Sequence, residues 1–199
     1  DLGHLVALLD AAIAVGVKRL IFSSSAAVYG ASSSNVLHEE LPLAPVNPYG
    51  ATKAAFEQVL RAYAAAHGLT AIALRYFNVA GATDQVTERH NPETHLLPRL
   101  MSAALAGEPF PIYGNDYATP DRTAVRDYVH VADVAAAHLA ALEKLAAPEE
   151  HGFSAINIGS GAGTSIREAI KAIEKASGTR VEAQEHPRRV GDPPRLVAD

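Results

Sequence analysis

Helical and strand-like segments alternate along the first 80 residues, and this alternation limits the possible folds more than any other feature of the sequence. Residues 6–15 have the apolar, alanine-rich composition of a helix, and residues 17–22 follow as a short apolar strand. The Asn-Pro pair at 47–48 begins a second helix that ends at Gly68, before a second strand over 70–78. Strands that alternate with helices in this way predict a parallel sheet covered by helices.

The later part of the chain is less regular but has clear helical segments. We predict helices over 96–106, 131–145 and 165–177, the last with a Ser165–Glu168 capping box at its start. Extended segments are predicted at 110–114 and 155–158.

Composition and charge exclude several functional classes. The 17 basic residues against 22 acidic ones give a net charge of −5, which argues against nucleic acid or an anionic membrane as the main partner. The lack of cysteine excludes a thiolate nucleophile and a disulfide scaffold, and it is compatible with the cytoplasmic location that we expect. None of the nine histidines has an H-E-x-x-H spacing, so the sequence predicts no metal site. No stretch is long and apolar enough to predict a membrane span.

Tyr49 and Lys53 stand four residues apart at the start of the second predicted helix and therefore share one face. A free phenol has a pKa near ~10 and is a poor base at neutral pH. A neighbouring ammonium group favours the phenolate, so the pair can make Tyr49 a base for a substrate hydroxyl. The spacing alone is also compatible with coincidence.

Polar residues follow both predicted strands. The serines at 23–25 end the first strand, and the segment at 75–78 ends the second. The carboxyl ends of parallel strands meet at one edge of the sheet, where open α/β folds bind ligands. An ordinary polar loop is the alternative for the serines. The chain has no G-x-S-x-G motif, which argues against a hydrolase.

Together these motifs resemble the extended short-chain dehydrogenases/reductases of the NAD-dependent epimerase/dehydratase family, and within it the UDP-glucose 4-epimerases. The similarity covers essentially the whole chain; the matching segments are SSSAAVYG (23–30), NPYGATK (47–53), RYFNVAGA (75–82), HLLPRL (95–100), YGNDYATPDRTAVRDYVHVADVAAAH (113–138), INIGSGAG (156–163) and PRRVGD (187–192).

The resemblance implies a partial Rossmann-like parallel sheet with helices on both faces, plus a smaller α/β substrate-binding region. It implies NAD as cofactor and 4-epimerisation of a UDP-hexose (glucose/galactose, with N-acetyl analogues as a further option) through a 4-keto sugar. Tyr49 is then the base, assisted by Ser25 and Lys53. The cofactor-binding set adds Ser23, Ser24 and Phe77 to these three. Besides Ser25 and Tyr49, the implied substrate contacts are Tyr76, Asn78, His95, Leu96, Ile112, Tyr113, Arg126, Arg189, Asp192 and Leu196.

Among these residues, Arg126 and Arg189 suit a nucleotide diphosphate, because a guanidinium fork can bind two oxygens at once. The glycine-rich run at 159–163 departs from G-x-G-x-x-G, since Thr164 stands where the last glycine belongs, and we interpret it as a turn.

The resemblance also implies an organisation. Residues 1–80 correspond to the C-terminal portion of a truncated NAD-binding domain, and 81–199 mainly to the substrate region, with about 127–165 packing back on the first part. The family's dinucleotide fingerprint would precede Asp1, so we expect a fragment of an enzyme whose parent is a homodimer, and turnover by the fragment alone is in doubt.

Two alternatives remain. A nucleotide-sugar 4,6-dehydratase is disfavoured, because 25–27 reads Ser-Ala-Ala where that family has Thr-Asp-Glu. A non-catalytic nucleotide-sugar or NAD(H) sensor on the same fold is disfavoured by the presence of both Tyr49 and Lys53.

Overall fold

The structure is a computed structural model that describes residues 2–32, 34–147 and 152–199. Its helices are α1 Leu2–Ala14, α2 Pro48–His67, α3 Leu96–Ala106, α4 Val131–Ala146 and α5 Ile166–Ser177. Its strands are β1 Arg19–Ser25, β2 Thr70–Tyr76, β3 Asn78–Ala80, β4 Phe110–Tyr113, β5 Val125–His130, β6 Phe153–Ile158, β7 Gly163–Ser165, β8 Ala183–His186 and β9 Arg195–Leu196. Every predicted helix and extended segment is confirmed, whereas β3, β5, β7, β8 and β9 were not predicted as separate strands.

The first sheet has the strand order β1-β2-β6, and both pairings are parallel, as predicted. Alternate residues of the strands face opposite sides. Leu20 and Phe22 pack with α1 and α2, whereas Ile21 packs with the α4 residues Ala141 and Leu145. Successive side chains of a strand point to opposite faces of the sheet, and here both sets are apolar. A sheet buried on both faces requires this pattern.

The remaining strands form two further sheets, one of four strands and one of two. Strand β5 pairs in parallel with β3 and β9 and antiparallel with β7, while β4 and β8 form a separate parallel pair. Helices α3 and α5 cover the β4–β8 pair, and their shared core includes Leu100, Phe110, Ile112 and Ile170.

Helix α2 is fixed at both ends by residues that the sequence identified. The Asn47 side chain accepts a hydrogen bond from the Gly50 N–H, and Gly68 ends the helix in the left-handed conformation. A Cβ atom at position 50 would lie 2.4 Å from the Ala27 carbonyl oxygen, so only glycine permits this close approach. The first turn of α2, with Tyr49, is thereby held against the turn that follows β1.

The helices of the described residues include none with the length and apolar character needed to cross a membrane.

We expect the core between α2 and the sheet to dominate stability. Leu60 is fully buried there, so Leu60→Ala should lower the free energy of unfolding by about 2–5 kcal/mol. Leu139 on α4 is 64% exposed, and Leu139→Ala is the matched control, with an expected change within about 0.5 kcal/mol. Urea denaturation followed by circular dichroism measures both variants. Equal losses in the two would contradict this assignment of the core.

Candidate functional site

The carboxyl ends of β1 and β2 lie side by side, because the parallel register pairs Ser25 with Tyr76. The start of α2 lies next to them. Together they border a cavity of about 460 Å³, which we call the sugar cavity. Its lining includes nine of the predicted site residues: Ser24, Ser25, Tyr49, Tyr76, Phe77, Asn78, His95, Arg126 and Leu196.

Lys53 lies next to Tyr49 in this arrangement. Its Nζ donates a 2.7 Å hydrogen bond to the Ser23 carbonyl oxygen and lies 5.6 Å from the centre of the Tyr49 ring. Partial burial lowers the pKa of Lys53. Tyr49 itself is 57% exposed, so its hydroxyl is open to a ligand in the cavity.

The three serines that end β1 have three different environments. The Ser25 Oγ accepts the Ala27 N–H at 3.2 Å and caps the short 3-10 turn Ala26–Tyr29. Ser23 is exposed and contacts Tyr76. Ser24 is buried, and its Oγ donates to the Glu57 carboxylate at 2.5 Å. Ser24 also lines the sugar cavity, but strand alternation directs its side chain into the interior, and its part in binding a cofactor stays a prediction.

Tyr76 lines the sugar cavity with its ring while its hydroxyl is held by other residues. The hydroxyl lies 3.0 Å from the Ser23 Oγ and 2.7 Å from Nε2 of His138. Nδ1 of His138 lies 2.8 Å from the Val134 carbonyl oxygen, which can only accept, so Nε2 is the nitrogen left to accept. Burial raises the pKa of Tyr76 more than its bond with Ser23 lowers it, so its phenolate form is less available at neutral pH.

Beneath the cavity, Glu57 and Arg75 form an ion pair that is almost fully excluded from solvent. Arg75 donates to the Glu57 carboxylate through Nη2 at 2.6 Å and through Nε at 3.0 Å. Its Nη1 donates to the Tyr29 hydroxyl at 2.8 Å and to the Glu39 carbonyl oxygen at 3.0 Å. With the Ser24 hydroxyl added, the pair joins β1, α2 and β2.

The same network continues to β6 and to the end of the chain. The Tyr29 hydroxyl donates to Asn157 at 2.7 Å, and the Asn157 side-chain amide donates to the Leu37 carbonyl oxygen at 2.7 Å. Leu37 in turn exchanges backbone hydrogen bonds with Val197 and Asp199. These contacts bring the segment with Leu196 to the sugar cavity.

A second cavity, of about 220 Å³, is lined by three arginines, and we call it the arginine cavity. Arg126 is paired with Asp192, and the guanidinium of Arg189 lies 4.0 Å above the Tyr113 ring. With Arg99, three arginines face one aspartate here, a balance that suits an anionic ligand. Leu96 also lines this cavity.

The two cavities share the lining residues Asn78, His95 and Arg126, so they form one extended site. An uncharged group at the strand ends and an anionic group at the arginines could therefore belong to one ligand. Arg99 is a lining residue that the sequence analysis did not assign. It stands four residues after His95 in the segment HLLPRL, and this helical spacing was the available signal.

Ile112 was also among the predicted substrate contacts, and no cavity of the site reaches its side chain. It is fully buried in the core with Leu100 and Ile170, and it lines neither cavity. Strand β4 alternates, so Tyr113 faces the arginine cavity while its neighbour Ile112 faces the core.

The glycine-rich run at 159–163 forms a turn whose amides are already occupied. The buried Asp127 carboxylate accepts the N–H groups of Ser160 at 2.7 Å, Gly161 at 2.9 Å and Ala198 at 3.1 Å. A Cβ atom at Gly159 would lie 2.6 Å from this carboxylate. Asp127 thus takes the place that a phosphate would take in a nucleotide-binding loop.

Comparison with known proteins agrees with this geometry. The sequence profile described as "NAD dependent epimerase/dehydratase family" matches residues 1–159. The chain belongs to the NAD-dependent epimerase/dehydratase family.

Relatives and solved structures in this family are similar over almost the whole chain. A UDP-glucose 4-epimerase of Azospirillum brasilense is 47% identical over 198 residues, covering 96% of this chain and 55% of that protein. The crystal structure of UDP-glucose 4-epimerase from Brucella ovis in complex with NAD has a TM-score of 0.91 at 46% identity, covering 100% of this chain and 61% of that one. The Bifidobacterium longum enzyme in complex with NAD⁺ and UDP has a TM-score of 0.89 at 38% identity, covering 98% and 59%.

The coverage shows that these 199 residues span somewhat more than half the length of the curated relatives. The fold described above is therefore that of an epimerase/dehydratase over this part of its length.

Substitution of the buried ion pair should be far more destabilising than substitution of a surface pair. Glu57→Gln leaves Arg75 charged in the interior without its counter-ion, which we expect to cost about 3–5 kcal/mol of unfolding free energy. Glu185→Gln breaks the exposed Arg167–Glu185 pair and should cost less than about 1 kcal/mol. Thermal or urea denaturation gives both values. A loss below 1 kcal/mol for Glu57→Gln would show that the network is not a structural anchor.

Proposed function

We propose that this chain forms the catalytic and substrate-binding part of an NAD-dependent UDP-hexose 4-epimerase. The observation that carries the proposal is the junction of the two cavities. Tyr49 borders the sugar cavity, Arg189 borders the arginine cavity, and Asn78, His95 and Arg126 line both. A sugar nucleotide has the same division into an uncharged ring and an anionic diphosphate.

The residues near the strand ends fit the nicotinamide end of NAD. The half-buried Lys53 ammonium beside Tyr49 offers donors for ribose hydroxyls, and Phe77 offers an apolar wall. Bound NAD supplies the reversible removal of hydride from C4 of the sugar. The similarity to NAD-bound epimerase structures supports the same assignment.

In the proposed mechanism, the Tyr49 phenolate accepts the proton of the sugar 4-hydroxyl as C4 loses hydride. The Lys53 ammonium favours the phenolate form, and the Ser25 hydroxyl holds the reacting oxygen. The resulting 4-keto sugar turns within the sugar cavity and presents its opposite face. Tyr49 then returns the proton to the oxygen as C4 regains hydride.

The diphosphate remains bound while the sugar turns. Arg126 and Arg189, with Arg99 beside them, hold its negative charge, and Asp192 fixes the position of the Arg126 guanidinium. His95, Leu96 and Tyr113 border the rest of the nucleotide. This division of labour lets the reacting ring move without release of the substrate.

The proposal includes the organisation of the parent enzyme. Residues 1–80 belong to its NAD-binding domain and 81–199 mainly to its substrate region, with 127–165 packing on the first part. We further propose that the parent enzyme is a homodimer. We also propose that it is cytoplasmic, and the absence of cysteine from these 199 residues is compatible with that location.

Tyr49→Phe tests the chemistry. The variant keeps the ring and removes the base, so epimerisation should fall roughly 10²–10⁴-fold while the affinity for UDP stays unchanged. The assay uses a protein of the relatives' full length that carries this sequence. Tyr63→Phe is the matched control, because Tyr63 is on the same helix but bonds Asp10 instead of a cavity ligand. Undiminished turnover in Tyr49→Phe contradicts the proposed base, and ligand binding with no turnover in the parent favours a sensor.

Leu196 tests the substrate range. Leu196 borders the sugar cavity, and a tyrosine there would fill space that a 2-acetamido group needs. We expect the parent enzyme to convert both UDP-glucose/galactose and the N-acetyl sugars. In Leu196→Tyr, kcat/KM for the N-acetyl sugars should fall by roughly 10–200-fold, the usual range for shape differences in apolar pockets. Leu142→Tyr, at an exposed leucine of α4, controls for added bulk. Rejection of N-acetyl sugars by the parent, or their acceptance by Leu196→Tyr, contradicts this prediction.

A further inference from the structure

Two histidines and two glutamates come together in the segment between β3 and α3. The Glu88 Oε1 lies 3.0 Å from Nε2 of His90, and the rings of His90 and His95 are 4.7 Å apart between centres. One ligand atom each from Glu88, His90 and His95 lies within 4.8 Å of the other two. In a tetrahedral zinc site, ligand atoms lie roughly 3.4 Å from one another, so small side-chain rotations would close the set around an ion.

Glu93 occupies the position that supports such a site. Its Oε1 lies 3.0 Å from Nδ1 of His95, and its Oε2 lies 3.7 Å from Nδ1 of His90. Metal-binding histidines commonly donate their second N–H to a carboxylate, which fixes the tautomer and the ring orientation. At 3.0 Å the Glu93 carboxylate can accept a hydrogen bond from Nδ1 of His95, which leaves Nε2 of His95 for a metal. The 3.7 Å contact with His90 is an ion-pair distance and not a hydrogen bond, and Nε2 of His90 lies beside Glu88.

The Glu93 carboxylate is itself held by the backbone. Its Oε1 accepts the N–H groups of Thr94 and His95, both at 2.7 Å, immediately before α3 begins. His95 is therefore oriented by a group with a fixed position, and His90 lies close to the same group. None of the four side chains is buried, so an ion from solvent can reach them.

We propose that Glu88, His90 and His95 bind one divalent transition-metal ion of the zinc class, with Glu93 orienting the His95 imidazole. Two imidazole nitrogens and one carboxylate oxygen are ligands that zinc accepts, and a water molecule completes the tetrahedron. This proposal does not depend on the epimerase assignment, because no step of that mechanism uses the ion. It reverses the sequence-based expectation of no metal site: the ligands stand at i, i+2 and i+7 in an irregular segment, which matches no helical metal motif.

The proposed metal ligands also border the extended site. His95 lines both the sugar and the arginine cavity, and Glu88 lines the sugar cavity. A bound ion would tie these two side chains to His90 and fix the segment from 88 to 95 at the border of both cavities.

Calorimetric titration of the 199-residue chain with zinc chloride, in a buffer that does not chelate, tests the proposal. We expect saturable binding of one ion per chain. His90→Gln should weaken it at least about tenfold, and Glu93→Gln by about 10–100-fold, the usual effect of removing an orienting carboxylate. Cobalt(II) in place of zinc should give the strong visible absorption of a tetrahedral site, and His90→Gln should lose it.

His67→Gln is the matched control. It removes an imidazole at the end of α2, where His67 packs on Tyr63, and should leave zinc affinity unchanged. The proposal is overturned if the unsubstituted 199-residue chain shows no saturable zinc binding. It is also overturned if that chain and His90→Gln bind zinc with equal affinity. Unchanged affinity in Glu93→Gln overturns the orienting role.

Discussion

The ion pair between Arg75 and Glu57 is the interaction on which the rest of the site depends. Two opposite charges are removed from water there, and the loss of hydration costs several kcal/mol for each ion. Such a pair is stable only when nearly every polar atom has a partner. Glu57 receives bonds from Ser24 and from two nitrogens of Arg75, and the third nitrogen of Arg75 is bound by Tyr29 and the Glu39 carbonyl oxygen.

The pair also fixes the geometry above it. Glu57 stands four residues after Lys53, so the two side chains leave α2 on the same side, one turn apart. Glu57 is anchored in the interior, while Lys53 reaches the Ser23 carbonyl oxygen at the strand end. Arg75 holds the end of β2 in the same way, and the next residue, Tyr76, lines the cavity. Glu57 and Arg75 therefore each lie next to a half-buried residue at the candidate site, Lys53 and Tyr76 respectively.

The sequence predicted helices and strands correctly where a local pattern of residues determines the structure. Helix boundaries such as Gly68 and the Ser165 capping box depend on one or two residues and were confirmed by the structure. Strand β5 was missed because it is short, has two adjacent charged residues, Arg126 and the buried Asp127, and is directly followed by α4. Its identity depends on three partner strands that are distant along the chain, and a local pattern carries no information about them.

The same limit applied to individual side chains. Ser23, Ser24 and Ser25 are identical in sequence, and only the pairing of β1 decides which one faces Glu57. Ile112 and Tyr113 differ in exposure because α3 and α5 cover one face of β4. Glu88 and His95 are seven residues apart, and the path of an irregular segment brings them together. In each case the deciding contact is tertiary.

A second buried carboxylate completes the framework. Asp127 binds the turn at 160–161 and the backbone of Ala198, just as Glu57 binds β1 and β2. The adjacent residue in β5, Arg126, is the one side chain of that strand shared by both cavities, and Leu196 precedes the bound Ala198 by two residues. The extended site therefore lies between two buried acids, one fixing the strand ends with Tyr49 and the other fixing the arginine and the closing segment. Movement of either anchor would separate the sugar cavity from the arginine cavity, so a ligand that must contact both depends on residues that it never touches.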